Sequence, residues 1–353
     1  MTAASPRIVV HVGAPKTAST YIQRRLRANA ERLRKSGIYL PVLREVAEMA
    51  GNAKLLPIAL GQRPSFTFQR AFPNLDTRAL DPERIVADLL LDWRPDSESV
   101  VLSAENLRPV HAARLRELLP ANRPCVIVLF VRRQDRWLDS YFNQMIKTNE
   151  IHEGIGAFLS KILAGTDERL CRPDWFAHYQ AWRDAFDGCK VVFYDEAARN
   201  IFESFFTAAG LEPVPDLIDI DRAQISMNVF ELGYLLDLKG PIENAEFLRR
   251  KSASEKASRR LAIRDNRSVM EDSDLVRLRE AYAESNGRLL EAMRRSEDSS
   301  LLHIDQTRDA DSYISLPDLY RSGAYADYRK AADAIYTRLK LRDRFKSLFK
   351  RSS

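Results

Sequence analysis

Apolar residues recur along this chain in two alternating periods. Arg7 to Val12, R-I-V-V-H-V, is a short apolar run that fits a buried strand; past a turn, Ile22, Leu26, Ala30 and Leu33 repeat at helical spacing until Gly37. Ile38–Leu40 reads as a second short strand. From Arg44 to about Leu80 the pattern breaks into short helical pieces and polar loops, the kind of region where an α/β enzyme carries substrate-binding insertions. Pro82 to Trp93 then predicts an amphipathic helix with proline in its first turn, Ser99–Ser103 a strand, His111–Leu119 a helix and Cys125–Val131 another strand. Helices over Arg133–Lys147, Ile155–Leu163 and Trp175–Phe186 and a strand over Lys190–Tyr194 follow.

Such alternation argues for a mainly parallel sheet covered on both faces. Beyond about residue 225 only helical patterns remain, over Val229–Leu238, Asn244–Leu261, Asp274–Met293 and Ala324–Phe349. The expected fold class is therefore α/β, a parallel sheet flanked by helices with a largely helical C-terminal half. Residues 1–297 are expected to form one domain, with an α/β core over about 7–210 and a helical part over 225–297. A helical extension, 298–353, would begin at a boundary near the polar cluster Ser296–Ser312.

Composition changes this picture little. With 45% hydrophobic and 29% charged residues the chain can build an ordinary core, which excludes global disorder. The net charge of +6 and pI of about 9.2 suit an anionic ligand, nucleic acid or an acidic membrane face without choosing among them. Cys125, Cys171 and Cys189 are odd in number and form no C-x-x-C pair, so neither a disulfide framework nor a zinc site is expected. Met1 to Pro6 leads straight into a strand without a signal-peptide pattern, and the longest apolar run, Cys125–Val131, is strand-sized. A reduced, cytoplasmic protein is the expectation.

The chemistry concentrates at two strand–helix junctions. In the first, Gly13-Ala14-Pro15-Lys16-Thr17-Ala18-Ser19-Thr20 joins the first strand to the first helix. A turn of this kind exposes backbone N–H groups at a helix N-terminus, which is a ready anion site. Lys16 adds a mobile positive charge, and the Thr17, Ser19 and Thr20 hydroxyls add donors. The spacing is not that of a Walker A loop, since the second glycine is missing and Pro15 precedes the lysine. An ordinary strand–helix turn that happens to hold a lysine is the plain alternative.

The stretch from His11 to Gln23, H-V-G-A-P-K-T-A-S-T-Y-I-Q, resembles the 5′-phosphosulfate loop of sulfotransferases that use 3′-phosphoadenosine 5′-phosphosulfate (PAPS). The resemblance is to bacterial, carbohydrate-sulfotransferase-like members with an H-I-G-x-P-K-T-G-T-T type motif. Ala18-Ser19 stands where that family usually has Gly-Thr. Serine keeps the hydroxyl, and alanine is tolerable only if the position needs no positive φ.

The second junction, V-I-V-L-F-V followed by Arg132-Arg133-Gln134-Asp135-Arg136-Trp137-Leu138-Asp139-Ser140-Tyr141, resembles the family's 3′-phosphate motif, an arginine at a strand end and a serine eight residues on. A guanidinium can clasp a phosphate in bidentate fashion while a helix serine donates to it. Read alone, Arg132 is a solvated strand-end charge. Trp182, Phe186, Gly188 and Val191–Glu196 extend the resemblance, which covers roughly residues 7–295, and by it Tyr194 would lie near the adenine; otherwise Tyr194 simply closes a buried strand.

What the resemblance implies is a P-loop-like fold, PAPS as sulfuryl donor, no metal, and a hydroxyl acceptor of the saccharide or glycolipid class. Lys16 with residues 13, 15 and 17–20 would hold the 5′-phosphosulfate, and Arg132 with Ser140 the 3′-phosphate. The acceptor needs a base. Glu105, just past a strand end in V-V-L-S-A-E-N-L, is the first candidate, with His11 and His111 behind it; capping a loop or pairing with an arginine is the alternative for Glu105. Rival readings are a P-loop kinase or NTPase and an inactive nucleotide-binding scaffold; nucleic acid is not an expected partner. The basic segment Arg338–Arg351, with Leu341, Phe345, Leu348 and Phe349 on one helical face, suits either a helix docked on its own domain, which is favoured, or a peripheral contact with an anionic membrane.

Overall fold

The computed structural model describes residues 6–43, 52–186, 188–220, 226–238, 240–305 and 310–350. Its sheet is built from β1 (Ile8–Gly13), β2 (Ile38–Tyr39), β3 (Ser99–Glu105), β4 (Cys125–Val131) and β5 (Cys189–Phe193), all parallel, in the order β2-β3-β1-β4-β5. Ile8, Val9, Val10 and Val12 are all fully buried, so the central strand is covered on both faces, as continuous apolar runs require.

The helices up to residue 209 are α1 (Ser19–Ala28), α2 (Ala30–Lys35), α3 (Leu55–Ala59), α4 (Phe66–Ala71), α5 (Pro82–Leu90) and α6 (Ala112–Leu118). They continue with α7 (Gln134–Lys147), α8 (Ile155–Ala164), α9 (Trp175–Ala185), α10 (Tyr194–Ala197) and α11 (Ile201–Ala209). Ile22, Leu26, Leu33, Phe202 and Phe205, from α1, α2 and α11, pack with Val9, Val101, Val128 and Phe130 of the sheet. Helix α9 lies against β4 and β5, and α6 packs on both α9 and α5.

The remaining helices are α12 (Val229–Leu236), α13 (Asn244–Arg260), α14 (Asp272–Ala292), α15 (Leu316–Arg321) and α16 (Gly323–Lys350). Among the described residues past 225 the only strand-like pairing is a single bridge between Ser268 and Tyr313, in line with the helical reading of the pattern.

Where element limits differ from the pattern, side chains explain it. The first helical stretch is broken at Asn29, whose amide donates to Arg25 O and Ile218 O (both 2.9 Å) and accepts from Ile218 N–H (2.7 Å). A buried asparagine that serves another segment cannot also continue the helix ladder smoothly. Strand β3 runs two residues longer than its apolar run because β1 keeps pairing with it as far as Gly13 opposite Glu105.

Proximity groups the chain into two compact units. One comprises Met1–Trp137, Asp167–Ala223 and Glu280–Ile304 and contains the whole sheet. The other comprises Leu138–Thr166, Gln224–Arg279 and Asp305–Ser353. It has its own core, in which α13 packs along α16 and Phe230 meets Tyr325 and Tyr328. Asn228 caps α12 in a reciprocal box with Glu231. Gly233 lets Leu319 approach so closely that a Cβ would meet it at 2.7 Å.

In this second unit the early part of α16 is docked: Tyr325, Tyr328, Ala332 and Tyr336 are buried, and Arg249 pairs with Asp343 at 3.0 Å. Leu341 is exposed, whereas the side chains of Phe345, Leu348 and Phe349 lie outside the described residues. No helix among the described residues is long and apolar enough to cross a membrane.

His11, His111 and His178 are nearly fully buried. Burial pushes the His11 imidazole down to about 3. Burial, helped by Arg108, pushes His111 to about 4, and burial pushes His178 to about 4 against the hydrogen bond to Arg172 O. These folded values lie below the unfolded value near 6.5, so the unfolded chain binds the extra protons, and stability is lost as pH falls from about 6.5 toward 4. Each histidine contributes a slope of about 1.4 kcal/mol per pH unit in that window. Denaturant titrations at pH 7, 6 and 5 should show stability falling by up to about three protons' worth, and His11→Gln should shallow the slope by about one. An unchanged slope in His11→Gln would show that this imidazole does not resist protonation in the fold.

Candidate functional site

The loop between β1 and α1 opens at the carboxyl edge of the sheet, on the central strand. Lys16 and Ala18 both take positive φ, 69° and 72°. That shape is held by donors from the interior. Asn106 N–H donates to Gly13 O (3.2 Å), Thr17 Oγ1 to Ala14 O (2.8 Å), Trp137 Nε1 to Pro15 O (2.8 Å) and Arg132 Nη1 to Lys16 O (3.3 Å). The Ala18 carbonyl accepts the first helical bond, from Ile22 N–H (3.1 Å). Gly13 admits this fold-back, since a Cβ there would stand 3.1 Å from Thr17 Oγ1.

Helix α1 begins without a side-chain cap on Ala18, and its first residue, Ser19, is buried with a hydroxyl that has no hydrogen-bond partner. An uncapped helix start beside a buried, unsatisfied hydroxyl is a place where an anion would be well received. Lys16 and Thr20 are half-buried at the same place. Two sequence expectations change here. The Thr17 hydroxyl, expected to face a ligand, donates within the loop instead. Ala18, tolerable only without a positive φ, has one, where the chain turns from the tethered Lys16 carbonyl into the first bond of α1.

One strand away, Arg132 follows directly on β4. Its guanidinium lies over the Tyr194 ring at 4.8 Å, its Nε is buried without a partner, and its carbonyl accepts from Trp175 Nε1 at 2.7 Å. The neighbouring arginines are committed elsewhere. Arg133 grips Asp135 with two 2.8 Å bonds, its N–H donates to Asp195 (3.2 Å), and Arg136 pairs with Asp195 (2.9 Å). Tyr194 opens α10 rather than closing β5, with Asp195 beside it tying that turn to the Arg132 strand end. Ser140 lies on α7 in the second unit, and its role rests on its spacing from Arg132 alone.

On the other side of β1, Glu105 is the last residue of β3 and is paired in register with Gly13, rather than lying past the strand end. It is half-buried, and Asn106 after it takes a φ of 76° to reach Gly13 O. Arg108 anchors the segment that follows α8 by donating to the carbonyls of Glu168 and Arg169. Cys171 on that segment is buried, its thiol pushed up to about 11 by burial, with Arg108 opposing and the Glu105 charge adding. A thiol held that high is inert as a nucleophile.

His11, a reserve candidate for the base, is inside β1, hydrogen-bonded through Nδ1 to Ser103 Oγ (2.8 Å) and edge-on to Phe130 and Phe205. His111 accepts from Arg108 N–H through Nδ1 (3.0 Å) and stands at the N-cap position of α6 without a side-chain cap bond. Among the described residues no group of three or more His, Cys, Asp or Glu side chains is placed to hold a metal ion. The sequence pattern alone does not reveal the roles of Trp137, Trp175 and Asp195. Trp137 lies within the Arg132–Tyr141 stretch, yet periodicity marks it only as part of an apolar helix face.

No protein-family model and no curated protein matches the chain. Among solved structures, a sulfotransferase from Alicyclobacillus acidocaldarius aligns over 67% of this chain and 93% of its own length, at 15% identity and a TM-score of 0.43. Mouse sulfotransferase SULT7A1 complexed with PAP aligns over 72% of this chain and 68% of its own, at 17% identity and a TM-score of 0.31. At these identities and TM-scores neither likeness assigns a role to any residue here.

The left-handed Ala18 yields a direct test. A Cβ at positive φ costs about 1–2 kcal/mol, and glycine gives part of that back through the entropy of the unfolded chain. Ala18→Gly is expected to raise the thermal midpoint by about 2 °C, and Ala18→Val to lower it. If glycine lowers the midpoint, the loop does not hold this φ in solution.

Proposed function

We propose that this chain transfers a sulfuryl group from PAPS to a hydroxyl acceptor, with a saccharide of a surface polysaccharide or glycolipid as the acceptor class. The observation that carries the reading is the link between Arg132 and the carbonyl of Lys16. It joins two candidate anion-holding segments, on adjacent parallel strands, at one edge of the sheet. A donor with phosphate at one end and phosphosulfate at the other asks for two such segments side by side. The saccharide class rests on the resemblance of the His11–Gln23 stretch to loops of bacterial carbohydrate-sulfotransferase-like proteins.

In this reading the backbone of residues 13–20, Lys16 and the Ser19 hydroxyl hold the 5′ end, and Arg132 holds the 3′-phosphate, joined by Ser140 as the spacing suggests. Tyr194, stacked under Arg132, flanks the adenine. Bound PAPS supplies the sulfuryl group and a phosphate leaving group. Lys16 and the loop amides neutralise negative charge that builds on that phosphate, the kind of fixed electrostatic stabilisation that dominates phosphoryl transfer. Glu105, level with Gly13 on the next strand, takes the proton from the acceptor hydroxyl as it attacks.

Calorimetric titration with adenosine 3′,5′-bisphosphate, run beside ATP–Mg²⁺, tests the donor site. Wild type should bind the bisphosphate and hold ATP–Mg²⁺ weakly; Lys16→Ala and Arg132→Ala should each weaken bisphosphate about 10- to 100-fold, since each removes a charge-assisted contact of about 1.5–3 kcal/mol. No bisphosphate binding by folded wild type would sink the reading. For the base, Glu105→Gln should bind bisphosphate like wild type yet lose sulfuryl transfer by about 10²- to 10⁴-fold. Full activity in Glu105→Gln would remove Glu105 from the chemistry.

A further inference from the structure

Two buried tryptophans hold the backbones of the two candidate anion-binding segments, and they touch each other. Trp137 Nε1 donates to Pro15 O at 2.8 Å, inside the β1–α1 loop. Trp175 Nε1 donates to Arg132 O at 2.7 Å, at the end of β4. Their rings meet edge to face, with centroids 5.8 Å apart and planes at 88°, and both are fully buried. Neither indole has an exposed edge from which to contact a ligand, so any effect on binding must pass through the backbone each one holds.

We infer that Trp137 and Trp175 are paired positioning residues, one setting the loop for the 5′ anion and the other setting Arg132 for the 3′ anion. The inference rests on the donor-site reading above. The physical basis is the carbonyl each indole engages. A peptide group is planar and trans, so its N–H points opposite to its C=O. Fixing Pro15 O inward therefore turns the Lys16 N–H away from the interior, toward the side where an anion would sit. Fixing Arg132 O sets the backbone from which that guanidinium projects over Tyr194. The edge-to-face contact favours one mutual orientation of the rings, so the two backbones are held in one relation. Trp182 supplies an internal contrast: it is just as buried, but its indole N–H has no partner.

The test uses Trp137→Phe, Trp175→Phe and Trp182→Phe in the full chain, each keeping an aromatic ring while removing the N–H. Dissociation constants are measured for adenosine 3′,5′-bisphosphate, adenosine 5′-monophosphate and adenosine 3′-monophosphate. Trp137→Phe should weaken the bisphosphate and the 5′-monophosphate about three- to tenfold and spare the 3′-monophosphate; Trp175→Phe should weaken the bisphosphate and the 3′-monophosphate and spare the other. Trp182→Phe should leave all three unchanged. Losses that are equal for both monophosphates, or wild-type affinity throughout, would overturn the inference by showing that the indoles only pack.

Should a variant fail to fold, indole N–H exchange in the wild type decides the matter. The Trp137 and Trp175 protons should exchange more slowly when bisphosphate is added, and unchanged exchange at saturation would overturn the proposal. Wild type that binds none of the three ligands is a different failure, since it removes the donor-site reading itself.

Discussion

The arrangement around the β1–α1 loop follows from one requirement: a turn at a buried sheet edge must find a donor for every carbonyl it carries inward. The chain meets this with groups from four places. Asn106 reaches across from β3, Thr17 turns back from within the loop, Trp137 comes from α7, and Arg132 from the end of β4. Because each carbonyl is drawn in, the amide N–H on the other side of the same peptide plane is turned out. This applies to Lys16 and Thr17, which follow the engaged carbonyls of Pro15 and Lys16. Pro15, which has no N–H to present, follows Ala14, whose carbonyl serves only the loop's own Thr17. Outward-turned amide groups are thus a by-product of satisfying the interior.

The sheet order explains why the neighbours of this loop are the ones they are. With β1 in the centre, β2 and β3 lie to one side and β4 and β5 to the other, so the chain crosses past β1 between β3 and β4. At such a switch point the connections leaving adjacent strands diverge and leave a crevice at their carboxyl ends. Register then fixes which residues border it: Glu105 and Phe130 stand level with Gly13 on its two sides, and Arg132 lies two residues beyond Phe130. A carboxylate on one flank and a guanidinium on the other is therefore a consequence of strand length. A β3 shorter by two residues, as its apolar run alone suggests, would end the ladder before Glu105 and lose that alignment.

Much of this was legible in the sequence, because periodicity reports burial and burial sets strands and helices. The parallel sheet, its five strands and the helical second half could be read from where apolar residues fall, and the two junctions from the residue types gathered there. What periodicity cannot report is direction. Arg132, Arg133 and Arg136 look alike in the chain, and only the positions of Asp135 and Asp195 show that two of them are held in ion pairs. Asn29 reads as an unremarkable polar residue in a helix until the segment at Ile218 comes to bond with it. The φ of Ala18 was equally hidden, since it depends on donors more than a hundred residues away, Arg132 and Trp137.

The same long-range donors explain how the loop tolerates two non-glycine residues in left-handed backbone. Each such residue costs about 1–2 kcal/mol, and each net hydrogen bond returns about 0.5–1.5 kcal/mol, so the indole and guanidinium tethers are of the right size to offset the strain. A side chain at position 16 cannot be traded for glycine without losing the charge, so the lysine keeps its strained φ; position 18 carries no such charge, and alanine there only adds cost. The arrangement gains from rigidity. Donors fixed in advance need not reorganise as charge develops on a ligand, and that is the property by which oriented amides and a lysine stabilise a charged leaving group. On this argument the bonds to Pro15 and Lys16, more than the identity of the loop's side chains, decide whether the loop acts as an anion site or as an ordinary turn.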